Sequence, residues 1–447
     1  MKLTPLEAWI VNKTGIREKN REALENYQLN KIKEVIKYVR EHSEFYGEYL
    51  KNINENNIKS FKDFERIPFT TTEHIKKDSR KFLCVSQNEI SRIVTLKSSG
   101  TSGEEKRIYF TENDLNLTVE FFKYGMSCLV SKGDRVLVLL PGNSYGSIGD
   151  LLKKALKEVN IECYVQGMLS NLKDTTDIIK DKHINCIVGV PIQILHFSRM
   201  ESEVFKNNIK KILLSTDYVP EALIREITNK FQCKVFTHYG MTEMGYGGGV
   251  ECEVLNGYHM RENDLHFEVI NPCTGKLVED GAYGEIVFTT LTREGMPLVR
   301  YKTGDIGCFN LNYCNCGTFL KTMSRVLGRM ENRIKIGQNK YIYMKDLDEI
   351  ILSFEEVINY KASVEKENLI CIDIVVKQEE DFHKIEKYVE HDIKRIPLVN
   401  EELSKGNLNI VLRYLDKNIE VKNSMVKRKI YDYRGKGEYA RYIRNSE

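Results

Sequence analysis

Residues 95–111 read TLKSSGTSGEEKRIYFT, from Thr95 to Thr111. Gly100 and Gly103 stand among the hydroxyls of Ser98, Ser99, Thr101 and Ser102, with Lys106 and Arg107 just downstream. β-prone residues flank both sides, so the stretch reads as strand, loop, strand. Glycine tolerates backbone angles that turn several N–H groups inward, and together with short hydroxyls such a loop can surround anionic oxygens. An ordinary hairpin turn has the same composition, because Gly, Ser and Thr cluster in loops generally. No Gly-Lys-Ser/Thr closes the loop at the spacing a Walker A motif requires.

Upstream, Leu24, Ile32, Val35, Ile36 and Val39 recur among charged neighbours from Arg21 to Leu50, the spacing of an amphipathic helix on a core. Thr70-Thr71-Thr72-Glu73, after Ile67-Pro68, reads as a helix start. Downstream, short apolar runs at Arg135 to Leu140, Ile161 to Val165, Cys186 to Val190, Lys211 to Ser215 and Lys234 to Thr237 predict strands. Leu151 to Val159, Leu172 to Lys182 and Pro220 to Phe231 predict the helices between them. That alternation implies an α/β fold with mostly parallel, helix-covered sheets. Ligands of such sheets bind beyond the carboxyl ends of the strands.

Around Glu251 the pattern changes to short β segments through Asn271-Pro272, Glu279-Asp280-Gly281 and Glu285 to Thr290, a more antiparallel subdomain. From Gly328 the chain is polar and Lys/Glu-rich, with strands expected at Ile370 to Val376 and Ile410 to Leu415 and a helix near Asp381 to Arg395. The reading is a large domain over 1–327 and a small α+β domain over 328–447.

The 447 residues, 41% of them hydrophobic, suffice for two or three domains. A net charge of +3 with 29% charged residues gives no general attraction to nucleic acid or anionic membrane. No stretch approaches the roughly 20 apolar residues of a membrane span, and Met1 to Trp9 lacks a signal-peptide pattern, so a cytoplasmic protein is expected. Eleven scattered cysteines suit reduced thiols and a metal site better than a disulfide framework.

Three further stretches carry chemistry. His238-Tyr239-Gly240-Met241-Thr242-Glu243 follows a predicted strand, where Tyr239 can stack on a base, Thr242 can donate to a phosphate and Glu243 can hold Mg²⁺. A helix cap would use Thr242 and Glu243 equally well. In Arg300-Tyr-Lys-Thr-Gly-Asp-Ile-Gly307, Asp305 follows a Thr-Gly turn and can accept from the vicinal hydroxyls of a ribose. Gly328-Arg-Met-Glu-Asn-Arg-Ile-Lys-Ile-Gly337 places Arg329 at the proposed boundary, where a solvated connector is the plain alternative.

SSGTSG, HYGMTE, RYKTGDIG and GRMENRIKIG occur in an order and spacing that resemble the adenylate-forming acyl-CoA synthetase superfamily. The likeness spans nearly the whole chain. With its length, its opening Leu3-Thr4-Pro5-Leu6-Glu7 and its short C-terminal domain, the chain looks most like the phenylacetate-CoA ligase branch. That resemblance implies an acid-thiol ligase: ATP and a carboxylic acid, expected to be aromatic or arylacetic, form an acyl-adenylate, and CoA then displaces AMP. It implies that Ser98, Ser99, Gly100, Thr101, Ser102 and Gly103 hold the β- and γ-phosphates, with Lys106 shifted from the usual lysine position by Glu104 and Glu105. Tyr239 would stack on adenine with His238, Gly240 and Met241 beside it, Ser215, Thr216 and Asp217 would form the adenine edge, and Asp305 and Arg329 would reach the ribose. Thr242 would contact the α-phosphate, Glu243 would bind Mg²⁺, Glu331 would be the hinge of a mobile C-terminal domain, and Tyr145 and Gly146 would line the acyl pocket. Relatives carry a late Gly-Lys that acts in adenylation; Asn423 to Lys429 contains no glycine, and Lys427 is preferred over Lys429 for its distance to Asp432 and Arg434.

Cys314-Asn-Cys316 is a knuckle-like pair, and Cys252 stands seven residues before His259. On adjacent β segments these four close a Cys₃His structural zinc site, and left unliganded they are simply thiols. The expected partners are a small carboxylic acid and CoA, with a carrier protein or another AMP acceptor as the alternative, and a homodimer as the assembly. The tail from Val421 carries eight Lys/Arg against three acidic residues with four interleaved tyrosines, so nucleic-acid binding is the outlying third reading.

Overall fold

A computed structural model describes residues 3–97, 105–336, 340–366, 368–416 and 428–434. The loop 98–104, Lys427 and most of the basic tail (421–427 and 435–447) lie outside the described residues. By internal contacts the chain divides into two units, Met1–Gly167 with Phe236–Val326, and Met168–Val235 with Leu327–Glu447. Among the described residues no helix is long and apolar enough to cross a membrane.

In the first unit, strands Ile90–Lys97 and Glu105–Thr111 pair antiparallel up to Lys97↔Glu105, so the strands on both sides of the glycine loop form. Glu105 lies on the strand and pairs with Arg107 at 3.3 Å on an exposed face. Thr111 then starts helix Glu112–Met126 through a reciprocal capping box with Asp114, with both bonds at 3.1 Å. Strands Arg135–Leu139 and Glu162–Val165 pair parallel around helix Ile148–Glu158, the βαβ unit their spacing implied.

The helix expected from Arg21 to Leu50 is two helices, Arg21–His42 and Glu44–Tyr49. Ser43 adopts an extended backbone and its hydroxyl accepts the N–H of Tyr46, so a cap interrupts an otherwise continuous apolar period. Thr71 caps Thr72–Lys77 as anticipated. Strands Leu265–Ile270, Gly284–Thr290 and Tyr301–Gly307 form an antiparallel sheet, and Gly249–Glu251 pairs antiparallel with Tyr239 and His238 on one side and Tyr258–Met260 on the other.

The second unit holds the parallel pair Cys186–Gly189 and Lys211–Leu214, helix Glu221–Phe231, and a four-stranded sheet ordered Asn409–Tyr414, Leu369–Val376, Val357–Lys366 and Ile430–Asp432. Arg199, whose side chain is wholly shielded, pairs with Glu226 and donates to the carbonyls of Leu352 (2.7 Å) and Val357. It thereby satisfies the carbonyl that ends helix Met344–Ile351.

Candidate functional site

Strand Lys234–Tyr239 delivers the His-Tyr-Gly-Met-Thr-Glu stretch to the edge of its sheet. A Cβ at Gly240 would meet the carbonyl of Tyr246 at 2.1 Å, so only glycine lets the chain double back here. Thr242–Met244 form one 3₁₀ turn closed by Gly245 at φ 78°. That turn buries Glu243, while Thr242 is half-buried.

The Glu243 carboxylate pairs with the ammonium of Lys106 and accepts from the hydroxyl of Tyr301 at 3.3 Å. Lys106 Nζ also lies 3.2 Å from the Tyr301 hydroxyl, which shares a 2.7 Å bond with Thr72. Side-chain exposures of 12% and 3% make this a shielded ion pair, screened far less than a surface one. Arg293 braces the arrangement: Nη1 donates to the Glu243 carbonyl and Nη2 to the Tyr109 carbonyl, both at 2.7 Å. Neither Tyr301 nor Arg293 was singled out from sequence, because their roles depend on strands far apart in the chain.

One turn away, the Tyr239 hydroxyl donates to Asp305 Oδ2 at 3.1 Å, and both residues are buried. Asp305 is presented by the Thr-Gly turn: Thr303 Oγ1 accepts its N–H at 3.0 Å and donates to the Ile286 carbonyl at 2.7 Å, while Gly304 takes φ 75°. His238 packs against Phe121 and Phe122, and desolvation pushes its pKa down to about 4, so its imidazole is neutral at pH 7. Arg300, which opens the same stretch as Asp305, is a buried anchor rather than a ligand-facing group. It forms a two-point pair with Glu268 at 2.8 and 3.0 Å and donates to the Glu65 and Ile67 carbonyls at 2.6 Å.

Tyr145 is 48% exposed, its hydroxyl bonded to Glu112 and its ring 4.2 Å from Lys154. Gly146 takes φ 66° and donates to Asp150 Oδ2 at 2.8 Å, at the start of helix Ile148–Glu158.

Cys252, His259, Cys314 and Cys316 converge, one ligand atom from each lying within 4.8 Å of all the others. The Cys252 and Cys314 sulfurs are 3.7 Å apart and Cys316 Sγ is 3.8 Å from His259 Nε2. A tetrahedron with Zn–S near 2.3 Å has edges of about 3.8 Å, so the donor set and spacing fit zinc. Desolvation holds His259 at about 4, the neutral form a metal needs, and it raises the thiols of Cys252 and Cys316 above their ordinary range. A cation would be what keeps such buried sulfurs ionised.

In the second unit, Thr216 adopts φ 77°, unusual for a β-branched residue, and its shielded hydroxyl has no hydrogen-bond partner among the described residues. Backbone strain of that kind is a marker of function. Asp217 accepts from the N–H of Tyr218 at 2.9 Å and of Arg428 at 3.0 Å, and burial raises its pKa against the pull of those bonds and of Arg428. Arg428, which directly follows Lys427, pairs with Asp348 at 2.6 Å over the Tyr360 ring, while Asn332 accepts from Ile430 and donates to the Arg428 carbonyl. Lys429 sits 4.6 Å from the Tyr431 ring. Ser215 is buried, Arg329 forms a short strand with Gly328, and Glu331 is exposed in the turn that follows.

No protein-family model matches the chain. It is 27% identical over 366 residues to a phenylacetate-coenzyme A ligase of Thermus thermophilus, covering 78% of this chain and 80% of that one. It is 23% identical over 402 residues to a protein of the same name from Aromatoleum evansii, covering 85% and 89%. Among solved structures, 2-hydroxyisobutyryl-CoA ligase in its postadenylation state with an acyl-AMP superposes with a TM-score of 0.77 over 94% of this chain and 91% of that one. At 16% identity that likeness is one of fold.

Proposed function

We propose that the chain, similar over most of its length to phenylacetate-coenzyme A ligases, is a member of that branch of the adenylate-forming superfamily and acts as an AMP-forming carboxylate-CoA ligase on an aromatic or arylacetic acid. A carboxylate oxygen attacks the α-phosphorus of ATP, the bond to the β-phosphate oxygen breaks and pyrophosphate leaves. The CoA sulfur then adds to the acyl carbon and AMP departs with the electron pair of its acyl–oxygen bond. The first step brings two anions together, so the site must supply charge and alignment rather than a strong base.

The observation that carries this reading is the shielded carboxylate of Glu243, held by Lys106 and Tyr301 one turn beyond the Tyr239–Asp305 pair. Glu243 is the residue that would hold Mg²⁺, which when bound with ATP neutralises phosphate charge. Lys106, which pairs with that same carboxylate, would serve the phosphates together with the 98–103 loop. Asp305 would take the ribose, with Arg329, and the Tyr239 ring one face of adenine. Thr242 would meet the α-phosphate, the unsatisfied Thr216 hydroxyl the adenine edge with Ser215 and Asp217, and Lys427 would complete adenylation from a lid domain over 328–447 hinged at Glu331. Tyr145 and Gly146 would flank the acyl group, and Cys252, His259, Cys314 and Cys316 would hold a structural zinc.

The test is ATP–pyrophosphate exchange over a panel of carboxylic acids, followed by thioester formation with free CoA. Exchange with no acid overturns the proposal. Exchange without a CoA thioester favours the alternative in which a carrier phosphopantetheine or another group accepts the product.

A further inference from the structure

Resting on the ligase reading, we infer that Arg92 and Tyr246 form the far end of the acyl subsite and select a carboxylic acid that carries a second oxygen acceptor, a distal carboxylate fitting best. Arg92 lies directly opposite Phe110 in the antiparallel pair, so their side chains share a face. On that face of Glu105–Thr111 the alternation places Lys106, Ile108 and Phe110. Lys106 meets Glu243 at one end, and at the other Phe110 stacks on Tyr246 at 5.3 Å with planes 5° apart. One strand face therefore touches the 242–246 turn twice, at points about 13 Å apart along the strand, four residues at roughly 3.3 Å each.

The polar groups at the far end have an unusual balance. Arg92 Nη1 donates to Ser144 Oγ at 3.2 Å, on the strand face where its opposite neighbour Phe110 stacks on Tyr246. Its stem packs on Gly146, where a Cβ would come within 3.4 Å of Arg92 Cγ and 3.1 Å of Leu115. Among the described residues no carboxylate pairs with Arg92, and its Nε–H is shielded from solvent with no acceptor. Bonded among the described residues only to the neutral Ser144 hydroxyl, this half-buried guanidinium has an unused donor in a planar fork, the geometry that carboxylates match. Phe110 and Tyr246 supply the flat apolar wall beside it, and Arg293 lies 4.4 Å from the Phe110 ring. A site built to bond an oxygen discriminates strongly against the analogue lacking it, because its own polar groups are then left unpaired.

The test compares matched acids in ATP–pyrophosphate exchange: phenylacetate against its ring-carboxylated and ring-hydroxylated derivatives, with wild type, Arg92→Met and Tyr246→Phe. The wild type is expected to favour the oxygen-bearing acids by about tenfold or more in kcat/KM. Arg92→Met should collapse that preference while moving the KM for ATP by less than about threefold, and Tyr246→Phe should lower it in part. If Arg92→Met does not fold, Arg92→Lys, which keeps the charge and loses the fork, should weaken the preference for the carboxylated acid. No preference in the wild type, or a preference unmoved by these variants, overturns the inference and leaves the ligase reading intact. Exchange with no acid at all overturns the ligase reading and this inference together.

Discussion

Lys106 and Glu243, 137 residues apart in the chain, meet as a shielded ion pair that Tyr301 completes from a third strand. Both partners meet the same Glu243 oxygen, Oε1, and one oxygen cannot serve the lysine and a divalent cation at once. Glu243→Gln should therefore lower adenylation kcat/KM by roughly 100-fold and abolish its steep dependence on magnesium. Lys106→Ala should cost roughly tenfold while lowering the magnesium concentration needed for half-maximal rate, because the competitor for Glu243 is gone. Magnesium titrations of exchange in both variants read the two effects, and a higher magnesium requirement in Lys106→Ala would contradict the competition.

Tyr239→Phe removes the 3.1 Å bond to Asp305 but keeps the ring. The expected outcome is a loss of about 1 kcal/mol of stability with a small change in the KM for ATP. Asp305→Ala should instead raise that KM by about tenfold or more, which steady-state kinetics resolves.

The four converging ligands predict about one equivalent of zinc in purified protein, measurable by elemental analysis. Cys314→Ser should lose the metal and lower Tm, and chelation of the wild type should lower Tm toward the same value. Less than about half an equivalent would count against the site.

Two buried imidazoles set an acid limit on stability. His238 is pushed down to about 4 by burial, and His266 to about 3 by burial and by the charges of Arg21, Arg300 and Lys321. The unfolded chain takes up protons below about 6.5 while the folded chain resists, so their contribution is complete above that pH and is lost as pH falls toward 4. Denaturant midpoints should drop between pH 7 and pH 5 by an amount equivalent to roughly 2 kcal/mol per residue, and His238→Phe should flatten part of that slope.

Arg300 is wholly shielded and two-point bonded to Glu268. Arg300→Met leaves that buried glutamate without its counter-charge, so urea unfolding should show a loss of about 3–5 kcal/mol. Much of it should be recovered in the double variant with Glu268→Leu, where both charges are gone.

What the sequence determined by itself was local and periodic. Alternating apolar runs located the strands at Arg135, Ile161, Cys186, Lys211 and Lys234 to within a residue or two, since side-chain period and turn residues are properties of short stretches. The motif residues were legible for the same reason: Tyr239, Glu243 and Asp305 announce themselves beside glycines that only particular turns require. The break at Ser43 was not legible, because a single capping hydroxyl ended a helix whose apolar spacing ran on. Partnership was decided by tertiary structure alone. That Lys106 would sit on Glu243, that Arg300 would be consumed by Glu268 and two carbonyls, and that Arg92 would keep a donor unused beside Tyr246 all depend on which strand lies beside which. Buried charges and donors are expensive until paired, so their meaning is set by neighbours that are distant in the chain.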